Sequence, residues 1–473
     1  MVKRIVSSPL VAAAVAMLAG CAVGPDYREP TLELPQRFDS AETNRYSNGD
    51  ADLARFWTVF GDAQLDKLVS RALYTNHDLR VALARVNEAR ALRGAARLDL
   101  APTVTAGAGY ADQRLSASQT GAGPRNVSGY DASFDAFWEL DLFGRTRRAL
   151  EASNAELEAA AADLGDVEVS LVAELSRTYF ELRGNQQRLA VAGRNVANQT
   201  ETLALTQARL EGGAGTELDT SRATAQLAST RASIAPLQAA VARAIHRLGV
   251  LSGLTPDALR AELELPADLP LVPELTAVAD PAQLLRRRPD IRVSERELAA
   301  ATARIGVAVA DLFPRVTFTG SIGVAATSFS GLNDSGSGTH FIGPGISWAA
   351  FDLGRVRAQI AAARARGDGA LAHYEQTVLR ALQETEDALV THARSRDRLR
   401  ELTQAANASQ TAARLARLRY ENGAVDFLQV LDAERSLLQA EDSLAQSRAE
   451  TATSLVSVYK ALGGGWVVPA TGG

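Results

Sequence analysis

The sequence contains one junction twice. WELDLFGRTR occupies residues 138–147 and WAAFDLGRVR occupies residues 348–357, so the two copies are offset by 210 residues. The same offset then holds without a gap as far as Gly253 and Gly463, far beyond the junction itself. A constant register over this distance predicts one supersecondary unit that is used twice in the chain.

Each repeat has the same predicted order of elements, namely a helix, a β-hairpin, a long helix and a returning helix. The first repeat spans 62–253, with its hairpin at 103–141, its long helix at 145–210 and its returning helix at 217–251. The second repeat spans 290–463, with its hairpin at 315–351, its long helix at 355–420 and its returning helix at 426–461. Outside the repeats lie a signal peptide at 1–20, an N-terminal segment at 21–61, a linker at 254–289 and a tail at 464–473.

The first long helix carries a seven-residue apolar period. It is formed by Leu175, Leu182, Leu189, Val196, Leu203 and Leu210. A sustained period of seven predicts coiled-coil packing, and ~65 residues of helix at ~1.5 Å per residue extend for roughly 100 Å. The returning helix covers about half of that length, so the helix that precedes each hairpin is expected to stack end to end with it. Two adjacent apolar stripes on the last helix predict neighbouring helices on both sides.

The N-terminus has the pattern of a secretory signal that ends in a lipobox. Two basic residues precede a short apolar run, and Leu-Ala-Gly comes directly before Cys21, the only cysteine of the chain. We expect Cys21 to be lipidated and to become the first mature residue. Ala22 rather than Asp follows it, which favours the outer membrane. The alternative is an ordinary signal whose cleavage site adjoins a cysteine.

The hairpins supply four strands of membrane-spanning length, ~10–13 residues each. Four strands cannot close a barrel, and an open sheet leaves unpaired edges in lipid, so other copies of the chain are needed to complete it. Three copies provide twelve strands. The predicted fold class is mainly α with a transmembrane β-barrel, continued by a long α-helical tunnel. The alternative is a pair of soluble hairpins on a helical rod.

Composition argues against two other classes of function. The formal net charge of −5 gives no basic surface for nucleic acid. The five histidines are dispersed, and none has a metal-ligand spacing or lies beside a plausible nucleophile. No phosphate-binding Gly-rich loop is present. We therefore expect no enzymatic activity, no metal and no cofactor.

Several long motifs resemble a known family. CAVGPDYREP (21–30), FWTVFGDAQLDKLVSRALYTNHDLRVALARV (56–86), WELDLFGRTR and RYENGAVDFLQVLDAERSL (419–437) are similar to segments of outer membrane efflux lipoproteins of the OprM/NodT type. The chain is identified as a member of the TolC-like outer membrane factors. The resemblance implies a homotrimer with a twelve-stranded barrel in the outer membrane and a tunnel in the periplasm. It also implies a periplasmic adaptor and an inner-membrane transporter, of the resistance-nodulation-division type, as partners in a tripartite efflux pump.

The resemblance also implies a gate. Leu428 and Asp432 match the constriction pair of the family, four residues apart and so on one helical face. Three Asp432 carboxylates would form a negative ring that favours cations; the alternative is a solvated surface charge. Tyr420 is expected to donate a hydrogen bond to Asp219 as the gate lock. Gln429 stands where some relatives carry a second acid, and Val425 replaces a basic lock residue.

Two further sets of residues complete the predicted sites. Each long helix and its returning helix form a helical hairpin, and the tips of the two helical hairpins are Gly212, Gly213, Asn422 and Gly423. These residues need special backbone angles to reverse the chain, and the adaptor would dock there. The junctions between barrel and tunnel contain Trp138, Gly144, Arg145, Trp348, Gly354 and Arg355. We expect the Trp residues in an aromatic belt, each Gly to let the chain turn, and each Arg to face water or headgroups.

A lipid-anchored periplasmic adaptor or coiled-coil scaffold remains the alternative function. Such a protein would share the long helices and the lipid, but it would not need two hairpins of membrane-spanning length. The sequence does not identify the transported substrate.

Overall fold

The computed structural model describes residues 22–43, 47–48, 53–116, 118, 124–275, 277–278 and 280–466. The chain forms two compact units. One contains the described residues of Met1–Thr31 together with Ala84–Ala161 and Val293–Gln376; the other contains those of Leu32–Leu83, Ala162–Arg292 and Thr377–Gly473. No helix in the described part of the chain is long and apolar enough to cross a membrane.

The elements follow the predicted double order. The first half contains α1 (Asp39–Thr43), β1 (Ser47–Asn48), a 3₁₀ helix (Phe56–Phe60), α2 (Ala63–Thr75), α3 (His77–Leu98), β2 (Thr103–Arg114), β3 (Asn126–Leu140), α4 (Arg145–Glu211), α5 (Glu217–Ala232) and α6 (Ile234–Leu251). The second half contains α7 (Arg260–Leu263), β4 (Ala277–Val278), α8 (Pro281–Arg287), α9 (Pro289–Ala310), β5 (Arg315–Ala326), a 3₁₀ turn (Ser330–Asn333), β6 (Gly338–Ser347), α10 (Leu353–Glu421) and α11 (Phe427–Ala461). The long and returning helices therefore lie where the sequence predicts them.

Four strands of the first unit form one antiparallel sheet in the order β2-β3-β5-β6. The two hairpins have the same register. Thr103 pairs with Phe137 in the first hairpin, and the residues 212 and 210 positions later, Arg315 and Ser347, pair in the second. The second hairpin ends earlier than predicted. β6 ends at Ser347 rather than at 351, so Trp348 follows the strand.

The helix that precedes the first hairpin is broken, which the sequence interpretation missed, and a similar break lies between α8 and α9 before the second hairpin. Asn76 has extended backbone angles, and its side-chain oxygen accepts hydrogen bonds from the amides of Asp78 (2.8 Å) and Leu79 (3.1 Å), so it caps α3. Arg288 is also extended because Pro289 follows it. The predicted linker at 254–289 accordingly contains α7, β4 and α8, with β4 pairing parallel to β1.

At each break, a side chain contacts the end of a returning helix. The side-chain amide of Asn76 donates to the carbonyl of Leu251 at 2.9 Å, and the guanidinium of Arg288 donates to the carbonyl of Ala461 at 3.1 Å. The end-to-end stacking predicted from helix lengths is confirmed in both repeats. Below this contact the second unit has an apolar core in which Phe60 packs on Phe180, with ring centroids 4.7 Å apart.

The two returning helices differ from each other. The first is divided at Ser233 into α5 and α6, whereas α11 runs unbroken to Ala461. Pro236 explains the division, since it has no N–H to donate to the carbonyl of Ala232. α11 contains no proline.

Candidate functional site

The two long helices end in the same way, at the tips of the helical hairpins. The amide of Ala214 donates to the carbonyl of Arg209, and the amide of Gly213 donates to that of Leu210. The same pair of bonds recurs at Ala424 and Gly423 in the second repeat. These are Schellman motifs, which place the residue after the helix in the left-handed region.

The special backbone angle belongs to one residue of each tip. Gly213 and Gly423 both have φ of 72°, as predicted. Gly212 does not share the requirement, because it is not among the described glycines with positive φ. The Asn422 side chain donates to the carbonyl of Leu418 at 2.7 Å, which helps to satisfy the end of α10.

Helix α11, which contains the predicted gate residues, has one buried face and one exposed face near its tip. Phe427, Val430 and Leu431 are buried, whereas Leu428 is 51% exposed and Asp432 is exposed. Leu428 and Asp432 therefore share the face that the chain itself leaves uncovered. Their part in a constriction requires neighbouring copies and remains a prediction.

Tyr420 lies in the apolar cluster beneath this helix. It is 4% exposed and packs with Ala223 and Phe427, and the guanidinium of Arg209 lies 4.6 Å above its ring. Burial raises the pKa of the Tyr420 hydroxyl, the positive charge of Arg209 lowers it, and the negative charge of Asp219 raises it. Asp219 thus lies within electrostatic range of the tyrosine.

The carboxylate of Asp219 has another partner in the structure. It accepts a hydrogen bond from the hydroxyl of Thr216 at 2.7 Å, and Thr216 caps α5 by accepting from the amide of Asp219 at 3.2 Å. The backbone carbonyl of Tyr420 accepts from Arg209 at 2.8 Å. The predicted lock between Tyr420 and Asp219 stays a prediction, while Arg209 already joins the two tips.

A buried ionic contact near the predicted gate residues was missed from the sequence. The carboxylate of Glu434 accepts hydrogen bonds from the hydroxyl of Thr202 (2.7 Å) and the guanidinium of Arg417 (2.9 Å). Glu434 and Thr202 are buried, and Glu434 lies two residues beyond Asp432. The signal was available, because Thr202 lies directly before Leu203 of the seven-residue apolar period.

The repeated Trp residues make the same contact in both repeats. The indole N–H of Trp138 donates to the carbonyl of Leu100 at 3.0 Å, and that of Trp348 donates to the carbonyl of Leu312 at 2.9 Å. Each tryptophan therefore ties the end of its hairpin to the end of the helix that precedes the hairpin. This explains why the junction carries Trp twice.

The repeated Gly residues, in contrast, do different things. Gly144 has φ of 82° and precedes α4, and a Cβ at this position would lie 2.6 Å from Ala22. Gly354 lies inside the first turn of α10 and would have open space around a Cβ. The predicted turning role is confirmed for Gly144 and is wrong for Gly354, because α10 begins one residue earlier, at Leu353.

The repeated Arg residues are paired with acids of their own chain. Arg145 donates twice to the carboxylate of Glu139, at 2.8 and 2.6 Å, and Arg355 forms an exposed ion pair with Asp352 at 2.8 Å. Both Arg residues thus have an acidic partner in their own chain, and the expectation that they face water or headgroups stays a prediction.

Cys21 lies outside the described residues, but the segment that follows it is held at the first junction. The amide of Val23 donates to the carbonyl of Phe143 at 3.1 Å, and Arg148 donates to the carboxylate of Asp26 at 2.6 Å. Ala22 lies against Gly144. The residue next to Cys21 is therefore placed where β3 gives way to α4.

Comparison with known proteins gives one consistent family. The sequence model described as "Outer membrane efflux protein" matches residues 68–254 and 281–464, which are the two repeats. Outer membrane protein OprJ of Pseudomonas aeruginosa is 34% identical over 453 residues, covering 95% of this chain and 94% of OprJ. Cation efflux system protein CusC of Escherichia coli is 32% identical over 461 residues, covering 95% of this chain and 96% of CusC.

The fold agrees with the sequence relationship. The solved structure of the outer-membrane channel OprN is 46% identical, with a TM-score of 0.88, and covers 94% of this chain and 100% of OprN. The TolC-like fold class predicted from the sequence is confirmed, with its long helices and its four-stranded antiparallel sheet. The chain therefore belongs to the outer membrane efflux protein family.

Proposed function

We propose that three copies of this chain form the exit duct of a tripartite efflux pump, anchored in the outer membrane and gated at its tips. A periplasmic adaptor and an inner-membrane transporter of the resistance-nodulation-division type would be its partners. The duct does no catalysis. The channel function itself follows from the family, and the assembly is supported by the repeat and by the two edges of the sheet.

The two edge strands of the sheet are the main support for this proposal. β2 and β6 lie at the two edges of the sheet, and all twelve residues of β2 are exposed. Strands with unpaired edges are not tolerated in lipid. Within the chain, β3 of the first repeat pairs with β5 of the second. This joins the second strand of one repeat to the first strand of the next repeat. If copies join in the same way, β6 of one copy pairs with β2 of the next, and three such contacts close a ring of twelve strands.

The repeat also gives the register of that contact. Phe137 pairs with Thr319 inside the chain. Adding 210 to the first number and subtracting 212 from the second places Ser347 opposite Gly107 of the neighbouring copy, and Ile346 opposite Ala108. The same offsets reproduce the register within the hairpins, which supports their use between copies.

Cysteine cross-linking tests the assembly. The pairs Ser347→Cys/Gly107→Cys and Ile346→Cys/Ala108→Cys cover both classes of antiparallel position, whose Cα separations of ~4.5 and ~5.5 Å suit a disulfide. We expect oxidation of the full-length protein in outer membranes to give dimers and trimers. The matched control is Ser347→Cys/Ala108→Cys, which is one residue out of register and places the side chains on opposite faces.

Monomers from both in-register pairs would contradict the ring. That result would favour the alternative, a lipid-anchored adaptor or scaffold. Such a protein would also form no pores.

The lipid anchor at Cys21 is part of the proposal. Its support is the placement of Ala22 against Gly144, at the end of the strand that would leave the membrane. A lipid attached to the preceding residue would start at the membrane surface. Mass spectrometry of the mature protein tests this, since a Cys21→Ser variant should lack the acyl mass, and an unmodified wild-type N-terminus would exclude the anchor.

A further inference from the structure

A column of polar residues on α4 bonds to the second repeat. It consists of Arg188, Asn195, Thr202 and Arg209, which follow one another at intervals of seven, directly before the apolar period. Arg188 donates to both carboxylate oxygens of Asp442, at 2.7 and 3.0 Å, and Asn195 donates to Glu441 at 3.0 Å. The two members nearer the tip make the bonds described above. Every member of the column therefore has a partner on α10 or α11.

Gln199, four residues beyond Asn195 on the same helix, differs from this column. It is 2% exposed, yet in the part of the chain that the structure describes neither the oxygen nor the nitrogen of its side-chain amide has a hydrogen-bond partner. A buried amide without partners is costly, and native proteins rarely leave one. A bound molecule with both a donor and an acceptor would remove this cost.

Gln199 lines a cleft of about 630 Å³ between α4, α10 and α11. All residues of the lining belong to one compact unit of the chain. The apolar part of the lining includes Ala413 and Leu437, which are both buried. A cleft of this volume is in the range of sites for small organic molecules.

The lining carries equal numbers of positive and negative side chains. These are Arg194, Arg414 and Arg417 together with Glu421, Glu434 and Glu441. Arg417 donates to Glu434, and Glu441 accepts from Asn195. Within the described ranges, Arg194, Arg414 and Glu421 are exposed and have no hydrogen bond or ion pair. Two guanidiniums and one carboxylate are therefore open to a ligand that carries both signs of charge.

The cleft lies on the face of α11 that is opposite to the predicted gate residue Asp432. Glu441 of the lining comes nine residues after Asp432, which is about 2.5 turns at ~3.6 residues per turn. With Asp432 facing the tunnel, as predicted, the cleft opens on the outer side of α11. A molecule in the cleft is then separate from the cargo of the tunnel.

We propose that this cleft binds a zwitterion of about dipeptide size that contains an amide. The ligand carboxylate accepts hydrogen bonds from Arg194 and Arg414, and its ammonium group lies toward the glutamates of the lining. Its amide pairs with the side-chain amide of Gln199, since each of the two groups has one donor side and one acceptor side. Because a single chain builds the whole cleft, this inference does not depend on the proposed trimer.

Equilibrium dialysis of the full-length, detergent-solubilised protein against tritiated alanyl-leucine tests the proposal. The N-acetyl derivative of this dipeptide lacks the ammonium group, and the C-terminal amide lacks the carboxylate. We expect the free dipeptide to bind, and each derivative to compete at least ~10-fold more weakly, because each loses one hydrogen-bonded charge. A derivative that competes as well as the unlabelled dipeptide would overturn the assignment of a zwitterion.

Two variants test the residues of the site. Gln199→Leu keeps most of the side-chain volume and removes the amide, and Arg194→Gln removes a guanidinium at an exposed position. Both should bind the dipeptide at least ~10-fold more weakly than the wild-type protein. Gln404→Leu is the matched control, because Gln404 is exposed on α10 and lies outside the lining. Unchanged affinity in both variants would overturn the proposal, and Arg194→Gln keeps the test valid if Gln199→Leu assembles poorly.

Failure of this inference can be told apart from failure of the proposed function. Absence of dipeptide binding to the wild-type protein at up to ~1 mM would mean that the cleft holds water only, and it would overturn the inference. If the same protein forms pores, the duct function stands. Binding by a protein that forms no pores would support the cleft and contradict the duct.

Discussion

Replacement of Arg417 by methionine should loosen the tip of α11, because it removes one partner of a buried carboxylate. Arg417 donates to Glu434 at 2.9 Å and also contacts Thr202 at 3.2 Å. Methionine keeps much of the volume of the arginine stem and removes the charge. Glu434 would keep only the hydroxyl of Thr202 as a partner.

The size of the effect follows from the exposure of the two side chains. The side chain of Glu434 is 7% exposed and that of Arg417 is 29% exposed, so the pair is neither fully buried nor at the surface. Breaking a buried pair costs ~3–5 kcal/mol, and an exposed pair contributes ~0–1 kcal/mol. We expect a loss of ~2 kcal/mol in the free energy of local opening.

Hydrogen exchange measures this quantity directly. A loss of ~2 kcal/mol corresponds to roughly 30-fold faster exchange of the amides in residues 427–437, since each ~1.36 kcal/mol is a factor of ten. Arg414→Met is the matched control, because Arg414 is exposed on the same helix. The double variant Arg417→Met/Glu434→Gln should exchange more slowly than Arg417→Met alone, since no charge is left unpaired. Exchange in Arg417→Met equal to that of the control would refute the reasoning.

Three further outcomes are expected. Asp432→Ala should weaken both cation selectivity and block by divalent cations in planar bilayers; unchanged selectivity would make Asp432 an ordinary surface charge. Gly213→Ala should destabilise its tip by ~1–2 kcal/mol, because the φ of 72° disfavours a side chain. Gly212→Ala should have little effect, and equal protease sensitivity of the two variants would contradict the Schellman assignment. Burial raises the pKa of Asp166 from 3.8 to about 6, so protonation stabilises the folded chain below pH 4, and this stability is lost as pH rises through 6. Asp166→Asn should therefore raise the thermal unfolding temperature at pH 7 more than at pH 4, and an equal change at both pH values would count against the burial.

The repeat made most of the fold predictable. Because the offset holds across a whole repeat, both copies must have the same order of helices and strands. A prediction made for one copy can therefore be compared with the sequence of the other. The seven-residue period identified α4 as a long packed helix, the repeat extended this prediction to α10, and the relative lengths predicted the end-to-end stacking. These are properties of the chain's own periodicity, so they do not depend on distant contacts.

The errors arose where one residue's local chemistry overrode the pattern. Asn76 caps a new helix with its side chain, Pro289 forces Arg288 out of the helical region, and Pro236 divides the first returning helix. Gly354 shares its sequence context with Gly144, but only Gly144 meets Ala22. A repeat predicts equal backbones, and it does not predict which copy receives the N-terminal segment.

The polar contacts between α4 and α11 were hidden for a different reason. Arg188, Asn195 and Thr202 are ordinary surface residue types, and sequence alone gives no partner for them. Their partners lie more than 200 residues away in the chain. The column could have been found by asking which residues, next to the apolar period, also recur every seventh position.

The central claim is that this chain forms a channel through a membrane. Single-channel recording with the full-length protein, purified from outer membranes and added to planar bilayers, tests it most directly. We expect discrete cation-selective conductance steps from the assembled trimer. Correctly assembled trimers that leave the bilayer non-conducting would contradict it.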